Sequence, residues 1–189
     1  RVSPVLESIE ALDKEFAAAP PEKRPELNGK RADLLEQSAS AATTPAEREQ
    51  WFRYWLDARF ADSRAQWNVV AQQGVMAQVG FVSGANQRIW SDGWDGYPAA
   101  RARLLQSVVA RGLANPVVIG GDTHMHFVND LKRDFGDPDS ATVASEFAGA
   151  SITSSPGAWQ KLLPAVMAAN PHVKYARGDR RGYVRASVT

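Results

Sequence analysis

The stretch that most constrains the fold is a helix, a tight turn and a short apolar strand in direct succession. Residues 98–111, PAARARLLQSVVAR, place four apolar side chains on one helical face, and Gly112 follows at the position where helices end. NPVVIGG, residues 115–121, is β-branched and short enough to be a buried strand. A helix that leads at once into a buried strand is half of an α/β unit, so an α/β fold is predicted.

The other elements follow from hydrophobic periodicity and from turn residues. Helices are predicted at 4–18, 26–40, 45–60 and 157–169. The apolar runs 69–70 and 75–79 predict one or two strands, and further strands are predicted at 142–148 and 181–188. The 45–60 helix has the clearest start, because Thr44, Pro45 and Glu47 form a capping-box sequence. Residues 1–44 are interpreted as a helical insert or linker, and 45–189 as the α/β part.

Charge and composition exclude several classes of function. The chain has 22 basic and 21 acidic side chains, so no net field favours nucleic acid or an anionic membrane. It has no cysteine, which excludes disulfides and thiolate metal sites within it. No apolar run approaches the ~20 residues that span a bilayer, so no transmembrane segment is predicted. The basic residues between Arg177 and Arg185 are interpreted as a solvated strand-and-turn surface.

The polar residues that directly follow the 115–121 strand are the main candidates for chemistry. Asp122, His124 and His126 occupy every second position, and the whole chain has 3 histidines. In an extended segment these side chains would point the same way, and carboxylate with imidazole suits zinc, iron or manganese. Polar residues that merely close the end of a strand remain the alternative.

A second polar cluster, SDGWDGYP, precedes the 98–111 helix. It contains Asp92 and Asp95, and it lies just before the helix that leads into the Asp122 strand. The two loops could therefore share one end of a sheet, where α/β proteins gather functional residues. The alternative is an Asx-type turn in which Trp94 and Tyr97 pack against the start of the helix.

Five segments together resemble the C-terminal half of the PhoD-like alkaline phosphatase and phosphodiesterase family. They occur in order within residues 45–189: WNVVAQQGVMAQV, SDGWDGYPAARARLL, NPVVIGGDTHMHFVNDLK, VASEFAGASITSS and NPHVKYARGDRRGYVRASVT. The resemblance implies half of a metallophosphoesterase-type α-β-β-α sandwich. It also implies a secreted or periplasmic hydrolase of phosphomonoesters, phosphodiesters or, in phospholipase D-type members, phospholipid head groups. Iron and calcium are the metals it implies, and zinc or manganese would also suit the donors.

The resemblance assigns roles to residues at the family's motif positions. Asp122 and His124 of the G-D-x-H element are implied metal ligands, and Asp92 is an implied metal ligand or phosphate-site residue. His124 and His126 are the candidate catalytic residues, and His126 or His172 the candidate for protonating the leaving group. His126 departs from the family's pattern, so a supporting residue or an extra contact to substrate is the alternative for it. The residues expected to support and orient the ligands are Asp95, Asn129, Asp130, Glu146 and His172. For His172, a hydrogen-bonded strand histidine is the alternative.

A phosphoesterase site of this class needs about six or more protein ligands, which exceeds what this chain offers. In the family the others come from an N-terminal half that includes a cysteine-type iron ligand. The chain also begins without methionine. We therefore expect it to be the C-terminal portion of a larger enzyme that acts with its N-terminal half on a phosphate-ester substrate.

Two other functions stay open at this point. The chain could be a non-catalytic domain that keeps the fold and binds metal, phosphate or a partner. It could also be a mononuclear metal hydrolase that uses Asp122, His124 and His126 alone.

Overall fold

The structure, a computed structural model, describes residues 4–42, 44–83, 86–88 and 90–187. The chain divides into two units, one comprising Arg1–Arg64 with Ala110–Leu113 and the other Ala65–Val109 with Ala114–Thr189. The division after Arg64 falls twenty residues later than the boundary predicted at residue 45. That predicted boundary marks where the resemblance to the family begins, and it stays a prediction.

Three helices form the first unit: α1 (Pro4–Ala18), α2 (Arg24–Ala41) and α3 (Pro45–Asp62). All three predicted helices are confirmed, and the Thr44–Glu47 capping box closes in both directions at the start of α3. The helices bury a small apolar core of Ile9, Ala32, Leu35 and Ala58.

The second unit is built on a five-stranded mixed sheet. Its strands are β1 (Asn68–Ala71), β4 (Pro116–Gly120), β5 (His126–Lys132), β6 (Thr142–Ala148) and β7 (Val173–Arg177). They lie in the order β1-β4-β6-β5-β7. The first three in this order are parallel, and β5 runs antiparallel to both β6 and β7. Strands β2 (Phe81–Ser83) and β3 (Asn86–Arg88) form a separate antiparallel pair.

Two helices accompany this sheet. Helix α4 (Pro98–Ala110) leads into β4, and Gly112 ends it in the left-handed conformation at φ 60°, as the sequence predicts. Helix α5 (Leu163–Ala169) follows a 3₁₀ segment, Gly157–Leu162, within the predicted helical region. The prediction of an α/β fold is confirmed by this architecture, and β4 and β6 lie where the sequence places them.

The strands differ from those predicted in three places. Residues 75–79 are not a strand, because side chains bind their backbone groups where a neighbouring strand would do so. The last strand is Val173–Arg177, and residues 181–187 form none. Strand β5 lies in a stretch for which the sequence predicts no strand, since the polar Asn129 occupies a buried position between Phe127 and Leu131.

Candidate active site

Three loops meet at the carboxyl ends of the parallel strands. They are residues 72–80 after β1, 121–125 after β4 and 149–156 after β6. Gly121 N–H donates to Gln73 C=O at 2.9 Å, and Gly149 N–H donates to Gly120 C=O at 2.9 Å, so the central loop is bonded to both neighbours. Functional residues of open α/β sheets gather at this edge.

Gly120 allows the first two loops to lie close together. A β-carbon at this position would collide with the carbonyl oxygen of Gly74 and lie 2.8 Å from the Gln72 side-chain nitrogen. At Gly121 the nearest atom to an added β-carbon is the Gly149 oxygen at 3.6 Å, which is ordinary contact. Of the two adjacent glycines, only Gly120 lies where a side chain would collide with neighbouring atoms.

The loop after β4 is kinked, which corrects the extended conformation predicted for it. Asp122 and His124 both adopt left-handed backbone conformations, at φ 63° and 59°. Non-glycine residues adopt this conformation at a cost, and such outliers concentrate at functional sites. Between them Thr123 is buried, and its backbone N–H donates to Gly121 C=O at 2.7 Å. Asp122 is exposed, while His124 and His126 are half-buried.

The ring of His124 is held by a backbone carbonyl. Its Nδ1 lies 3.3 Å from Ser155 C=O, in the loop after β6. A carbonyl oxygen only accepts, so Nδ1 carries the proton and Nε2 keeps its lone pair. Metal-binding histidines are commonly held in this way, with one nitrogen donating to the backbone and the other free for the metal.

The ring of His126 is held in the opposite sense. Its Nδ1 accepts the N–H of Ala150 at 3.2 Å, so in the neutral ring the proton resides on Nε2. The same loop after β6 thus selects the tautomers of both histidines. Sequence spacing groups His124 and His126 together, but the structure gives them different chemistry.

Of the two carboxylates in the loop before α4, Asp92 is exposed and Asp95 is buried. The Asp95 side chain accepts from Val79 N–H at 2.9 Å and pairs with Arg101 Nη1 at 2.6 Å. Both members of this pair have side chains 5% exposed. The 91–96 region is turn and 3₁₀ structure, as the alternative predicted, but Tyr97 is 64% exposed and so does not pack as that alternative required.

Glu146 is fully buried on β6 and binds the loop after β1. Its two carboxylate oxygens accept from the backbone N–H of Met76 at 2.5 Å and of Ala77 at 3.0 Å. Asn129 Nδ2 also donates to it, at 2.8 Å. Burial raises the pKa of Glu146 above its ordinary value, although these three donors oppose that effect.

Three further side chains complete a clamp on this loop. Arg101 donates to Met76 C=O at 3.1 Å, His172 Nε2 donates to Gln78 C=O at 2.6 Å, and Asn170 donates to Gly80 C=O at 2.7 Å. Burial lowers the pKa of His172, and nearby Arg101 adds to that effect. We call Asp95, Arg101, Glu146, Asn170 and His172 the buried clamp.

The clamp accounts for the positions of most residues expected to support ligands. Asp95, Glu146 and His172 each bind backbone groups of residues 76–79. Their other described side-chain contacts are with Arg101, Asn129 and Phe135, respectively. Asp130 pairs with Lys174 at 3.2 Å, and its backbone N–H donates to His172 C=O at 2.8 Å. Their roles in orienting ligands stay predictions. Arg101 and Asn170 are not among the residues predicted from the sequence, although Arg101 ends the pattern D-x-W-x-G-Y-P-x-x-R that begins at Asp92.

An apolar pocket borders the loop on one side. Trp90 and Trp159 stack there with ring centroids 5.8 Å apart and planes 17° from parallel. Met125, which separates His124 from His126, forms part of its wall together with Val79, Trp90, Phe127, Trp159, Leu163 and Val166. This side of the loop is therefore lined by apolar side chains rather than by charged ones.

Metal ligation by this chain would rest on few side chains. Within residues 4–42, 44–83, 86–88 and 90–187, no three His, Asp or Glu side chains lie together as a group able to hold a metal ion. Asp122 and His124 nonetheless have the right donor atoms, a carboxylate and an imidazole with a free Nε2. The arrangement lends no support to a mononuclear site of Asp122, His124 and His126.

The fold defines an α/β protein with polar residues at the carboxyl ends of its parallel strands, and sequence comparison identifies the family. A family model described as "PhoD-like phosphatase" matches residues 29–189. The chain belongs to the PhoD-like phosphatase family, which confirms the resemblance seen in its motifs. The match begins inside α2, earlier than the 45–189 stretch that carries the motifs.

Two relatives show how much of the family protein this chain represents. Alkaline phosphatase D of Bacillus subtilis strain 168 is 38% identical over 145 residues, which cover 76% of this chain and 24% of that protein. A solved structure described as "Structure of PhoD" matches with a TM-score of 0.62 and 36% identity, over 72% of this chain and 26% of that one. The chain thus spans about a quarter of the length of each relative.

Proposed function

We propose that this chain supplies the Asp122–His124 portion of a metal-dependent site that hydrolyses phosphate esters. The observation that carries the proposal is the state of His124, whose Nδ1–H is engaged by Ser155 C=O so that Nε2 can bind a cation. The left-handed backbone of Asp122 and His124 supports it, because such strain is commonly retained where function requires it.

Membership of the PhoD-like phosphatase family and the name of the Bacillus relative support hydrolysis as the reaction. Iron with calcium is the proposed metal content. The His124 imidazole suits iron better than calcium, while the Asp122 carboxylate suits either. When bound, the metals supply a Lewis acid that neutralises phosphoryl charge and lowers the pKa of a coordinated water.

Residues outside this chain are proposed to supply the remaining ligands. The relatives are about four times as long as the matched region, which leaves ample sequence for them. Asp92 is the third ligand candidate within this chain, since it is exposed and lies in the loop before α4. A secreted or periplasmic location is proposed from the family resemblance. In the part of the chain that the structure describes, no helix has the length and apolarity needed to cross a bilayer.

Turnover of a chromogenic phosphomonoester and a chromogenic phosphodiester tests the proposal. The complete protein is compared with Asp122→Ala, His124→Ala and a surface control, Asp139→Ala, which removes an exposed carboxylate from another loop. We expect the two site variants to lose at least about 100-fold in kcat/KM and the control to keep wild-type turnover. Near-native turnover in either site variant would contradict the assignment, and a wild type inactive on both esters would favour a non-catalytic domain.

A further inference from the structure

We infer that His126 donates a hydrogen bond to a phosphoryl oxygen of the substrate through its Nε2–H. The inference rests on the proposed hydrolysis of phosphate esters at the Asp122–His124 loop. It assigns His126 a role different from the one that its spacing to His124 suggests.

The backbone leaves His126 one way to act. Ala150 N–H occupies Nδ1 at 3.2 Å, so the proton of the neutral ring lies on Nε2. Binding a metal through Nε2 would require the proton to move to Nδ1, where it would face the Ala150 N–H. Acting as a general acid would require protons on both nitrogens, and the proton on Nδ1 would again face the Ala150 N–H. The remaining role for His126 is to donate a hydrogen bond from Nε2–H without transferring the proton.

The segment of residues 178–187 approaches the Nε2 edge of this ring at Gly182. A β-carbon on Gly182 would lie 3.6 Å from His126 Nε2, and Gly182 N–H donates to Ser151 C=O at 3.3 Å. The ring edge therefore faces this segment and the loop after β6. Nε2 has no hydrogen-bond partner among the residues that the structure describes.

The charges on this segment favour an anion over a metal cation. Asp179 is engaged by Arg177 at 2.6 Å and more distantly by Arg180 at 3.8 Å. Arg181, next to Gly182, is exposed and forms no ion pair with a described residue. The basic groups, which include Arg185, thus outnumber the one carboxylate, and a phosphate oxygen is the ligand that this surface and an N–H donor would both stabilise.

Two substitutions separate the donor from the structural contact. His126→Gln carries an amide nitrogen that can reach the Nε2 position but has no acceptor at the Nδ1 position. His126→Asn carries an oxygen that can still accept from Ala150 N–H but has no donor at the Nε2 position. Each is measured in the complete protein for kcat/KM on a phosphomonoester, for the Kd of inorganic phosphate by calorimetry, and for Tm.

A donor role predicts that His126→Asn is the more damaging change. We expect it to weaken phosphate binding and kcat/KM by about 10- to 100-fold, the range for a lost hydrogen bond to a charged group, while His126→Gln stays within about threefold of wild type. A structural role predicts the reverse order, with the lower Tm in His126→Gln. Equal losses, no loss in either variant, or a larger loss in His126→Gln would overturn the inference.

The inference and the proposed function can fail separately. A wild type that binds phosphate but turns over no ester would count against the hydrolase, and the phosphate Kd values would still decide the role of His126. A wild type that turns over ester while His126→Asn keeps full affinity and rate would overturn the inference alone. A wild type that neither binds phosphate nor turns over ester would overturn both.

Discussion

His124, in the loop after β4, and His126, two residues later at the start of β5, present their Nδ1 atoms to opposite kinds of backbone group. Nδ1 of His124 faces the carbonyl of Ser155, and Nδ1 of His126 faces the N–H of Ala150. One ring therefore exposes a lone pair at Nε2 and the other exposes a proton. This short stretch can thereby offer a ligand for a cation and a donor for an anion.

Gly120 is predicted to be intolerant of a side chain. Gly120→Ala should lower the free energy of unfolding by about 1–3 kcal/mol, because the added carbon meets the Gly74 carbonyl. Gly121→Ala is the matched control, since its added carbon meets nothing closer than 3.6 Å. Denaturant titration of both variants measures the difference. Equal stability of the two would mean that the 72–74 backbone moves aside without cost.

Glu146 is predicted to hold the 76–77 backbone in place. Glu146→Ala should cost on the order of 3 kcal/mol of unfolding free energy, because it leaves the buried N–H groups of Met76 and Ala77 without acceptors. Glu146→Gln keeps one oxygen and should cost less. Asp139→Ala, an exposed carboxylate, should change little. Denaturant unfolding orders the three variants, and a Glu146→Ala protein as stable as Asp139→Ala would contradict the clamp.

His172 is predicted to make stability depend on pH. Burial lowers its pKa below the ordinary 6.5, so the unfolded chain takes up a proton before the folded chain does. The stability that His172 contributes by staying uncharged is fully present above pH 6.5. It is lost as the pH falls from 6.5 through the folded-state pKa. Lys132 adds to this lowering, and Asp95 opposes it.

His172→Gln isolates this contribution, because its amide can still donate to Gln78 C=O. The free energy of unfolding should fall more steeply in the wild type than in His172→Gln between pH 7.5 and about 5. Parallel pH profiles for the two proteins would show that His172 does not titrate differently on folding.

Asp122 is predicted to lower the stability of the fold relative to glycine, because its backbone is left-handed. Glycine adopts its φ of 63° freely, so Asp122→Gly should leave the unfolding free energy unchanged or raise it by up to about 1 kcal/mol, while turnover is lost. Asp139 has no positive φ, and Asp139→Gly should instead lose about 0.5–1 kcal/mol and keep its turnover. If Asp122→Gly were the less stable protein, the carboxylate would have a structural role.

The sequence predicts those parts of the fold that local signals determine. The α3 capping box, the stop at Gly112 and the β-branched run of β4 each depend on neighbouring residues, and all three are confirmed. The run at 75–79 forms no strand, although its apolar side chains are typical of one. Its backbone groups bind Glu146 and Asp95, which lie far away along the chain.

Pairing and burial account for the two remaining errors. The segments 173–177 and 181–188 are both rich in strand-forming residues, and pairing with β5 selects the first. Strand β5 was overlooked because buried Asn129, which binds Glu146, interrupts its apolar alternation.

The sequence predicts candidate site residues but not the tautomers of their rings. Asp122 and His124 lie in the loop after β4, as their spacing predicts, while His126 is the first residue of β5. The tautomers depend on Ala150 and Ser155, whose backbone groups carry no sequence signature. The kink depends on the left-handed conformations at Asp122 and His124, which many residue types could adopt at a cost.

The most direct test of the central claim is the metal content of the purified, complete protein. Elemental analysis of wild type, Asp122→Ala, His124→Ala and Asp139→Ala reports whether the loop after β4 binds metal, independently of turnover. We predict that wild type and Asp139→Ala retain the same metals, while Asp122→Ala and His124→Ala each lose at least one metal ion per chain. Wild-type metal content in both site variants would contradict the claim that this loop holds the metal.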